Sequence, residues 1–199
     1  MPPDSHSTAI LLLAAGASTR LGQPKQLLKI NDQTLLEIIA GAALSTALRP
    51  VVVVLGAFFE MIAAALTDLE VEVVKNENWA GGMGGSIACG MKHIQGHHPE
   101  AGAVLVMLCD QPFVTPELLR QLLETRQKTG ALIVASSYAG TAGPPVLFDR
   151  QLFCELAALR GNPGAKAVIE KHADSLVEVT FPKGVADIDT MEDWERWGK

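Results

Sequence analysis

The chain has 199 residues and a formal net charge of −6, with 48% hydrophobic and 19% charged residues. This hydrophobic content is typical of a globular protein and excludes a disordered chain. The acidic balance argues against a nucleic-acid coat or a polybasic membrane anchor, so we expect neither nucleic acid nor a membrane as a partner. The length favours a single domain that covers residues 1–199.

The cysteines and the N-terminus indicate a reducing compartment. Cys89, Cys109 and Cys154 are odd in number and far apart, so they fit neither a zinc knuckle nor a disulfide framework. Residues 1–8 lack the basic start of a signal peptide, and we expect them to form a flexible N-terminus. The apolar run that follows breaks at Gly16 and is too short to cross a bilayer. We therefore predict a cytoplasmic protein.

Short apolar runs alternate with helical patterns along the first two thirds of the chain. The runs are nearly continuous, as expected for strands that are covered on both faces. The predicted strands are residues 10–13, 51–55, 71–74, 103–108 and 132–135. The predicted helices are residues 34–48, 57–66, 85–94 and 116–128. This alternation predicts an α/β fold with a doubly wound, mostly parallel sheet.

The last third of the chain has a different pattern. Residues 141–145 contain glycine and two prolines, which predict a loop. Short helices are expected at residues 152–159 and 165–172, followed by a strand at 176–179 and a final helix that starts at Met191. In open α/β sheets, ligands bind beyond the carboxyl ends of the strands, so the loops at that edge are the first candidates for a site.

The segment from Leu13 to Lys25 directly follows the first predicted strand. It begins with small residues and then carries Arg20 and Lys25. Small residues let main-chain N–H groups approach phosphate oxygens, and the two cations can neutralise a polyphosphate. The alternative is a plain turn with two solvated cations. The segment is neither a Walker loop nor the dinucleotide fingerprint, because the Gly-Lys-Ser/Thr ending and the third glycine are missing.

Carboxylates occur at two further places where a cleft is expected. Asp110 follows the strand at 103–108 and could hold Mg²⁺ against phosphate oxygens, or it could merely shape the turn before Pro112. Alternation places Asp187 and Asp189 on the same side of an extended segment, where both could approach one cation. The alternative for this pair is a capping turn before the final helix.

The ordered set of motifs resembles the MobA-like nucleotidyltransferases. The pattern Leu-Ala-Ala-Gly-x-Ser-x-Arg-x-Gly-x-Pro-Lys at 13–25 carries most of the resemblance, and Cys-Asp-Gln-Pro at 109–112 and Asp-Ile-Asp-Thr at 187–190 follow in the family's order. Gly-Met with Ser-Ile at 82–87, and the glycine motifs at 143–148 and 161–165, agree as well. Within the family, the chain is most similar to the molybdenum-cofactor cytidylyltransferases. The resemblance implies a Rossmann-like nucleotidyltransferase fold.

The resemblance also implies a role for each matching residue. The triphosphate would be held by the first motif, with Arg20 and Lys25 on its phosphates and Asp110 as the Mg²⁺ ligand, helped by Asp187 or Asp189. The loop at 81–86 would cover the base and ribose, with Ser86 as its polar contact. The nucleotide-binding residues are then Leu13, Ala14, Ala15, Gly16, Arg20, Gly22, Lys25, Gly82 and Ser86.

The implied reaction is transfer of CMP from CTP to the terminal phosphate of molybdenum-bearing molybdopterin, with Mg²⁺ as cofactor and pyrophosphate as leaving group. A molybdoenzyme or its maturation chaperone is an expected further partner. Ala15 stands where guanylyl-transferring relatives have a second glycine, which favours CTP over GTP. The alternatives are a guanylyl- or sugar-phosphate nucleotidyltransferase of the same fold, or a carrier of the cofactor without enzymatic activity.

A histidine cluster near the middle of the chain does not belong to these motifs. His93 and His97 have the i,i+4 spacing of metal ligands on a helix, and His98 follows directly. Gly96 and Pro99 interrupt the helical pattern, and no carboxylate completes a metalloprotease motif. We interpret the cluster as a solvated helix end.

Overall fold

The computed structural model describes residues 7–197. Its strands are β1 Thr8–Ala14, β2 Lys29–Ile30, β3 Gln33–Thr34, β4 Val51–Leu55, β5 Glu72–Lys75, β6 Ala103–Leu108, β7 Ile133–Tyr138, β8 Thr141–Asp149 and β9 Leu176–Thr180. Its α-helices are α1 Leu35–Leu44, α2 Phe59–Ala64, α3 Met83–His97, α4 Pro116–Thr129, α5 Phe153–Ala158, α6 Lys166–Lys171 and α7 Met191–Trp197. Within residues 7–197, no helix is both long and apolar enough to span a bilayer.

Seven strands form one sheet in the order β5-β4-β1-β6-β8-β7-β9, and β2 and β3 form a separate hairpin. Only β8 runs against its neighbours β6 and β7, and the other pairings of the large sheet are parallel. The predicted α/β class with a mostly parallel sheet is confirmed. The strand β1 begins at Thr8, which pairs with Ala103, so the predicted flexible N-terminus is wrong for this residue. Residues 1–6 lie outside the described part of the chain.

The core has two layers, one on each face of the sheet. Ile10 and Leu12 of β1 pack with α1, α2 and α4, whereas Leu11 and Leu13 pack with α3, α5 and α6. Successive side chains of a strand point to opposite faces, so a strand buried on both sides must be apolar at every position. This explains the continuous apolar runs in the sequence.

The region predicted as a loop at 141–145 is the first part of β8. Here the prediction is wrong because the two prolines fall at an irregularity of the strand pairing. The register of β7 and β8 shifts between Ala135 and Ser136, so Pro144 and Pro145 lie outside the regular ladder, where no N–H donor is required. The hydroxyl of Ser136 donates to the carbonyl of Pro145 at 2.8 Å and satisfies that group instead.

Gly90 allows α3 to lie directly against the sheet. A Cβ at this position would clash with Cδ1 of Leu11 and would lie 2.9 Å from Cγ2 of Val54. Both of these side chains are fully buried and cannot move aside. We expect Gly90→Ala to lower the free energy of unfolding by about 1–3 kcal/mol, the usual cost of overpacking.

Gly96 of the same helix provides the matched control. A Cβ there meets nothing within 4 Å, so Gly96→Ala should gain up to about 1 kcal/mol from helix propensity. Guanidinium unfolding of both variants measures the difference. Equal stabilities would contradict the close approach of α3 to β1.

Candidate functional site

The cleft forms where the sheet changes its direction of winding. Strands β1 and β6 are parallel neighbours, with Leu13 opposite Leu108 at their carboxyl ends. The chain leaves β1 towards β4 and leaves β6 towards the other side of the sheet. Loops that diverge in this way open a crevice, which is where open α/β sheets bind ligands. The loop after β1 and the residues after β6 therefore meet here.

The loop after β1 is held in place by Gln26. This side chain is fully buried, and its amide donates to the carbonyls of Ala14 at 2.8 Å and Gly16 at 2.9 Å. The backbone N–H of Lys25 donates to the hydroxyl of Ser18 at 3.1 Å, which closes the other half of the loop. The sequence reasoning missed Gln26, because a single glutamine after a motif carries no periodic signal.

Lys25 lies at the bottom of the cleft between two carboxylates. Its ammonium is 2.6 Å from Oδ2 of Asp110 and 2.7 Å from Oδ1 of Asp189. Burial alone would lower the pKa of Lys25, but the charge of Asp110 and the hydrogen bonds to both carboxylates raise it above its ordinary value. Lys25 is therefore a permanent cation. Arg20 is different, since its side chain is 75% exposed and lies 3.7 Å from Asp189.

The segment that carries Asp187 and Asp189 reaches the cleft through a backbone contact. The N–H of Ile188 donates to the carbonyl of Asp110 at 3.0 Å, and the Ile188 side chain is fully buried. A short 3₁₀ helix at Pro182–Val185 precedes the segment, and Gly184 packs against the ring of Tyr138. The two acidic motifs, nearly eighty positions apart in the sequence, are joined in this way.

Negative charge exceeds positive charge around Lys25. The Oδ1 atom of Asp110 is buried and has no hydrogen-bond partner among the described residues. Desolvation raises the pKa of Asp187 to about 6, with further contributions from the charges of Asp110 and Asp189. The three carboxylates do not form one compact set within the described chain, because Lys25 lies between two of them. The excess negative charge favours the binding of a further cation at this site.

A cleft of about 510 Å³ opens above these groups. The sequence-predicted residues that line it are Leu13, Ala14, Ala15, Gly16, Lys25, Gly82, Ser86, Asp110 and Asp189. Arg20, Gly22 and Asp187 are not among the lining residues, and Gly22 instead adopts a positive φ of 75° in the turn. Met83 of the predicted segment 81–86 also lines the cleft, together with Trp79 and with Asn162, which the sequence reasoning did not assign.

The segment 81–86 is not the covering loop that the sequence predicts. Gly81 ends a 3₁₀ turn, and α3 begins at Met83, so Gly82 to Ser86 form the N-terminus of a rigid helix. The glycines permit a close backbone approach: a Cβ at Gly82 would lie 2.6 Å from Oδ1 of Asn162, and Gly84 N–H donates to Gly161 O at 2.8 Å. The positive end of the helix dipole thus borders the cleft.

Ser86 is part of this helix start and is largely buried. Its hydroxyl oxygen accepts a hydrogen bond from the amide of Asn76 at 3.0 Å. The hydroxyl keeps its proton and one lone pair, so Ser86 can still donate one hydrogen bond to a group in the cleft.

These features define an α/β protein of the doubly wound type with a cleft suited to an anionic ligand. A main-chain loop, a permanent cation and a helix N-terminus surround a cleft bordered by carboxylates. Residues 10–176 match the family model described as MobA-like NTP transferase domain. The chain belongs to this family.

Known proteins of similar sequence and structure span nearly the whole chain. Nicotine blue oxidoreductase from Paenarthrobacter nicotinovorans is 30% identical over 94% of both chains. The crystal structure of Rv0371c from Mycobacterium tuberculosis H37Rv has a TM-score of 0.82 and 30% identity, covering 97% of this chain and 98% of that one. A structure of Rv0371C in complex with manganese has a TM-score of 0.80 and 28% identity, covering 96% and 98%. The predicted Rossmann-like nucleotidyltransferase fold is confirmed.

The carboxyl group of Asp187 makes the stability of the protein depend on pH. Its pKa of about 6 in the folded state lies above the ordinary value of 3.8, so stability falls as the pH rises through this interval. Asp187→Asn removes the ionisable group. We expect this variant to have a higher melting temperature than the parent at about pH 7.5 and the same one at about pH 3.5.

Thermal unfolding in the presence of EDTA measures this difference. Asp68→Asn, which removes an exposed carboxylate outside the cleft, is the control for the net charge. If the increase in melting temperature from Asp187→Asn at the higher pH is no larger than that from Asp68→Asn, the inferred destabilisation by the ionised Asp187 is wrong.

Proposed function

We propose that this protein transfers CMP from CTP to the terminal phosphate of a molybdopterin-type acceptor, with Mg²⁺ bound among the cleft carboxylates. The observation that carries the proposal is the position of Lys25, a buried permanent cation between Asp110 and Asp189 at the bottom of the cleft. A buried cation at the carboxyl ends of β1 and β6 is suited to a polyanionic substrate, because its charge is poorly screened there.

Main-chain donors would bind the triphosphate together with Lys25. The loop at 14–18 is fixed by Gln26 and lines the cleft. The N-terminus of α3 faces it with the positive end of a 15-residue helix and no capping side chain. The positive end of the helix dipole favours an anion at this position.

The donor set fits a divalent cation. Carboxylate oxygens are the ligands that Mg²⁺ prefers, and the unpartnered Oδ1 of Asp110 is available for one bond. Asp187 or Asp189 would supply a second. When bound, the ion would offset the negative charge that develops on the α-phosphate. The manganese complex of Rv0371C supports a divalent ion in this family.

The reaction needs positioning more than a protein nucleophile. An oxygen of the acceptor phosphate forms a bond to the α-phosphorus of CTP, and the bond from that phosphorus to the bridging oxygen breaks, releasing pyrophosphate. Lys25 would hold the phosphates in line and neutralise charge on them. The thiol of Cys109 takes no part as a nucleophile, because burial raises its pKa to about 12.

One relative bears the name of an oxidoreductase, which suggests a second candidate function for this fold. A redox reaction would require a separate electron or hydride carrier in the cleft, since the Cys109 thiol is held protonated. Oxidation of NADH or NADPH in the presence of nicotine blue tests this candidate. Such turnover without release of pyrophosphate from any nucleoside triphosphate would overturn the proposed transfer.

The first prediction for this function concerns Lys25. We expect Lys25→Ala to lower kcat/KM for the nucleotide by about one to two decades, which corresponds to the loss of about 1.5–3 kcal/mol from one charge-assisted contact. Lys29→Ala removes the same charge from the exposed strand β2 and should leave kcat/KM unchanged. Pyrophosphate release measures the rates, and melting temperature monitors folding. Equal rates in both variants would refute the phosphate contact.

The second prediction concerns the base. Ala15 lines the cleft and is 6% exposed, so its methyl group limits the space above the loop. One methyl group supports about 1–3 kcal/mol of discrimination, so CTP should be preferred to GTP clearly but not absolutely. Ala15→Gly should relax this preference while CTP remains a substrate. Competition of the two nucleotides at equal concentration, with Mg²⁺ and molybdopterin, measures it, and a GTP preference in the parent protein would reject the cytidylyl assignment.

A further inference from the structure

We infer that Glu72, His93 and His98 form a second metal site that binds a divalent transition ion such as Zn²⁺. The site is separate from the nucleotide cleft and does not depend on the proposed function. One ligand atom from each of the three residues lies within 4.8 Å of the other two. The sequence predicts a solvated helix end here, because Gly96 and Pro99 interrupt the helical pattern and no carboxylate completes a metalloprotease motif. The fold supplies that carboxylate from β5.

The three side chains converge on one point. Nε2 of His93 is 2.7 Å from Oε2 of Glu72, and Nε2 of His98 is 2.9 Å from Oε1 of the same carboxylate. Four-coordinate zinc with bonds of about 2.0–2.1 Å would separate its ligand atoms by about 3.3 Å. Each histidine–glutamate pair needs to open by only about half an ångström, which rotation of partly exposed side chains can provide.

The surroundings of the cluster favour a cation. The carboxylate of Glu72 faces Nε2 of both His93 and His98, so one acidic side chain and two imidazole nitrogens meet at the same place. His93 lies in the last turns of α3, and His98 caps that helix by donating its N–H to Ile94 O at 2.8 Å. The negative end of a helix dipole adds to the attraction for positive charge.

The ring of His98 is also supported from its other side. Oε1 of Glu100 lies 3.6 Å from Nδ1 of His98, while Nε2 faces Glu72. Metal-bound histidines commonly have a carboxylate near the second ring nitrogen, which keeps the proton there and leaves the first nitrogen free to bind. Glu100 is placed to do this after a small movement of its side chain.

The ligand types select the ion. Two imidazoles and one carboxylate suit Zn²⁺ and related ions, whereas Mg²⁺ prefers oxygen ligands alone. His98 and Glu72 border a surface groove of about 330 Å³, so a fourth position is accessible to solvent. The cluster lies at the opposite end of α3 from the nucleotide cleft, roughly 20 Å away by the rise of the helix.

Titration of the full chain without a histidine tag tests the site. Isothermal calorimetry with Zn²⁺ at about pH 7.5 measures the stoichiometry, and Co²⁺ in its place reports tetrahedral coordination through strong visible absorption. We expect one ion per chain at this site, an elevated melting temperature with Zn²⁺ and an intense Co²⁺ spectrum. Glu72→Gln should weaken binding at least about tenfold and abolish the strong absorption.

Two control variants distinguish this site from other places where the ion could bind. His172→Gln removes a histidine that also contacts a glutamate, Glu155 at 3.0 Å, but has no second imidazole, and it should bind Zn²⁺ like the parent. Asp110→Asn alters the cleft carboxylates and should retain the strong Co²⁺ spectrum. If the parent shows no intense Co²⁺ spectrum, or if Asp110→Asn loses it while Glu72→Gln keeps it, the proposed site is wrong.

Discussion

The ion pairs of Lys25 are the interaction on which the geometry of the cleft depends. They connect the loop after β1, the end of β6 and the segment before α7, three parts of the chain that are far apart in sequence. Desolvation of a buried ammonium is costly, and a buried pair is seldom worth more to stability than apolar packing. The arrangement is therefore better explained by binding than by folding, because it holds a cation at the bottom of the cleft.

The topology of the sheet explains why these three segments can meet. With β4 on one side of β1 and β6 on the other, the chain leaves the two strands in opposite directions and opens the crevice. The hydrogen bonds of Gln26 fix the loop after β1, and the hydrogen bond from Ile188 to Asp110 fixes the segment before α7. Buried hydrogen bonds to carbonyl oxygens restrict backbone movement. The cleft is thus largely formed before a ligand arrives.

The sequence predicts the fold better than it predicts the contacts within the site. Strands buried on both faces must be apolar throughout, so β4 and β6 are predicted with their observed bounds. The prolines of β8 lead to a wrong loop prediction, because a proline at an irregularity of a strand has the same sequence pattern as a proline in a loop. The glycines at 82 and 84 do the same, because they are required by close backbone neighbours and not by a loop. Gln26 and Glu72 belong to no sequence motif that would indicate their roles. Their roles arise only from tertiary neighbours, which a local pattern does not contain.

The helix α3 links the two sites electrostatically. Aligned peptide dipoles leave positive potential at its N-terminus, beside the cleft, and negative potential at its C-terminus, beside His93 and His98. An anion at the first end and a cation at the second are both favoured by the same field. Close packing on the sheet at Gly90 keeps the helix from shifting along its axis, because its neighbours Leu11 and Val54 are fully buried. The separation of the two ends of the helix is therefore set by its packing on the sheet.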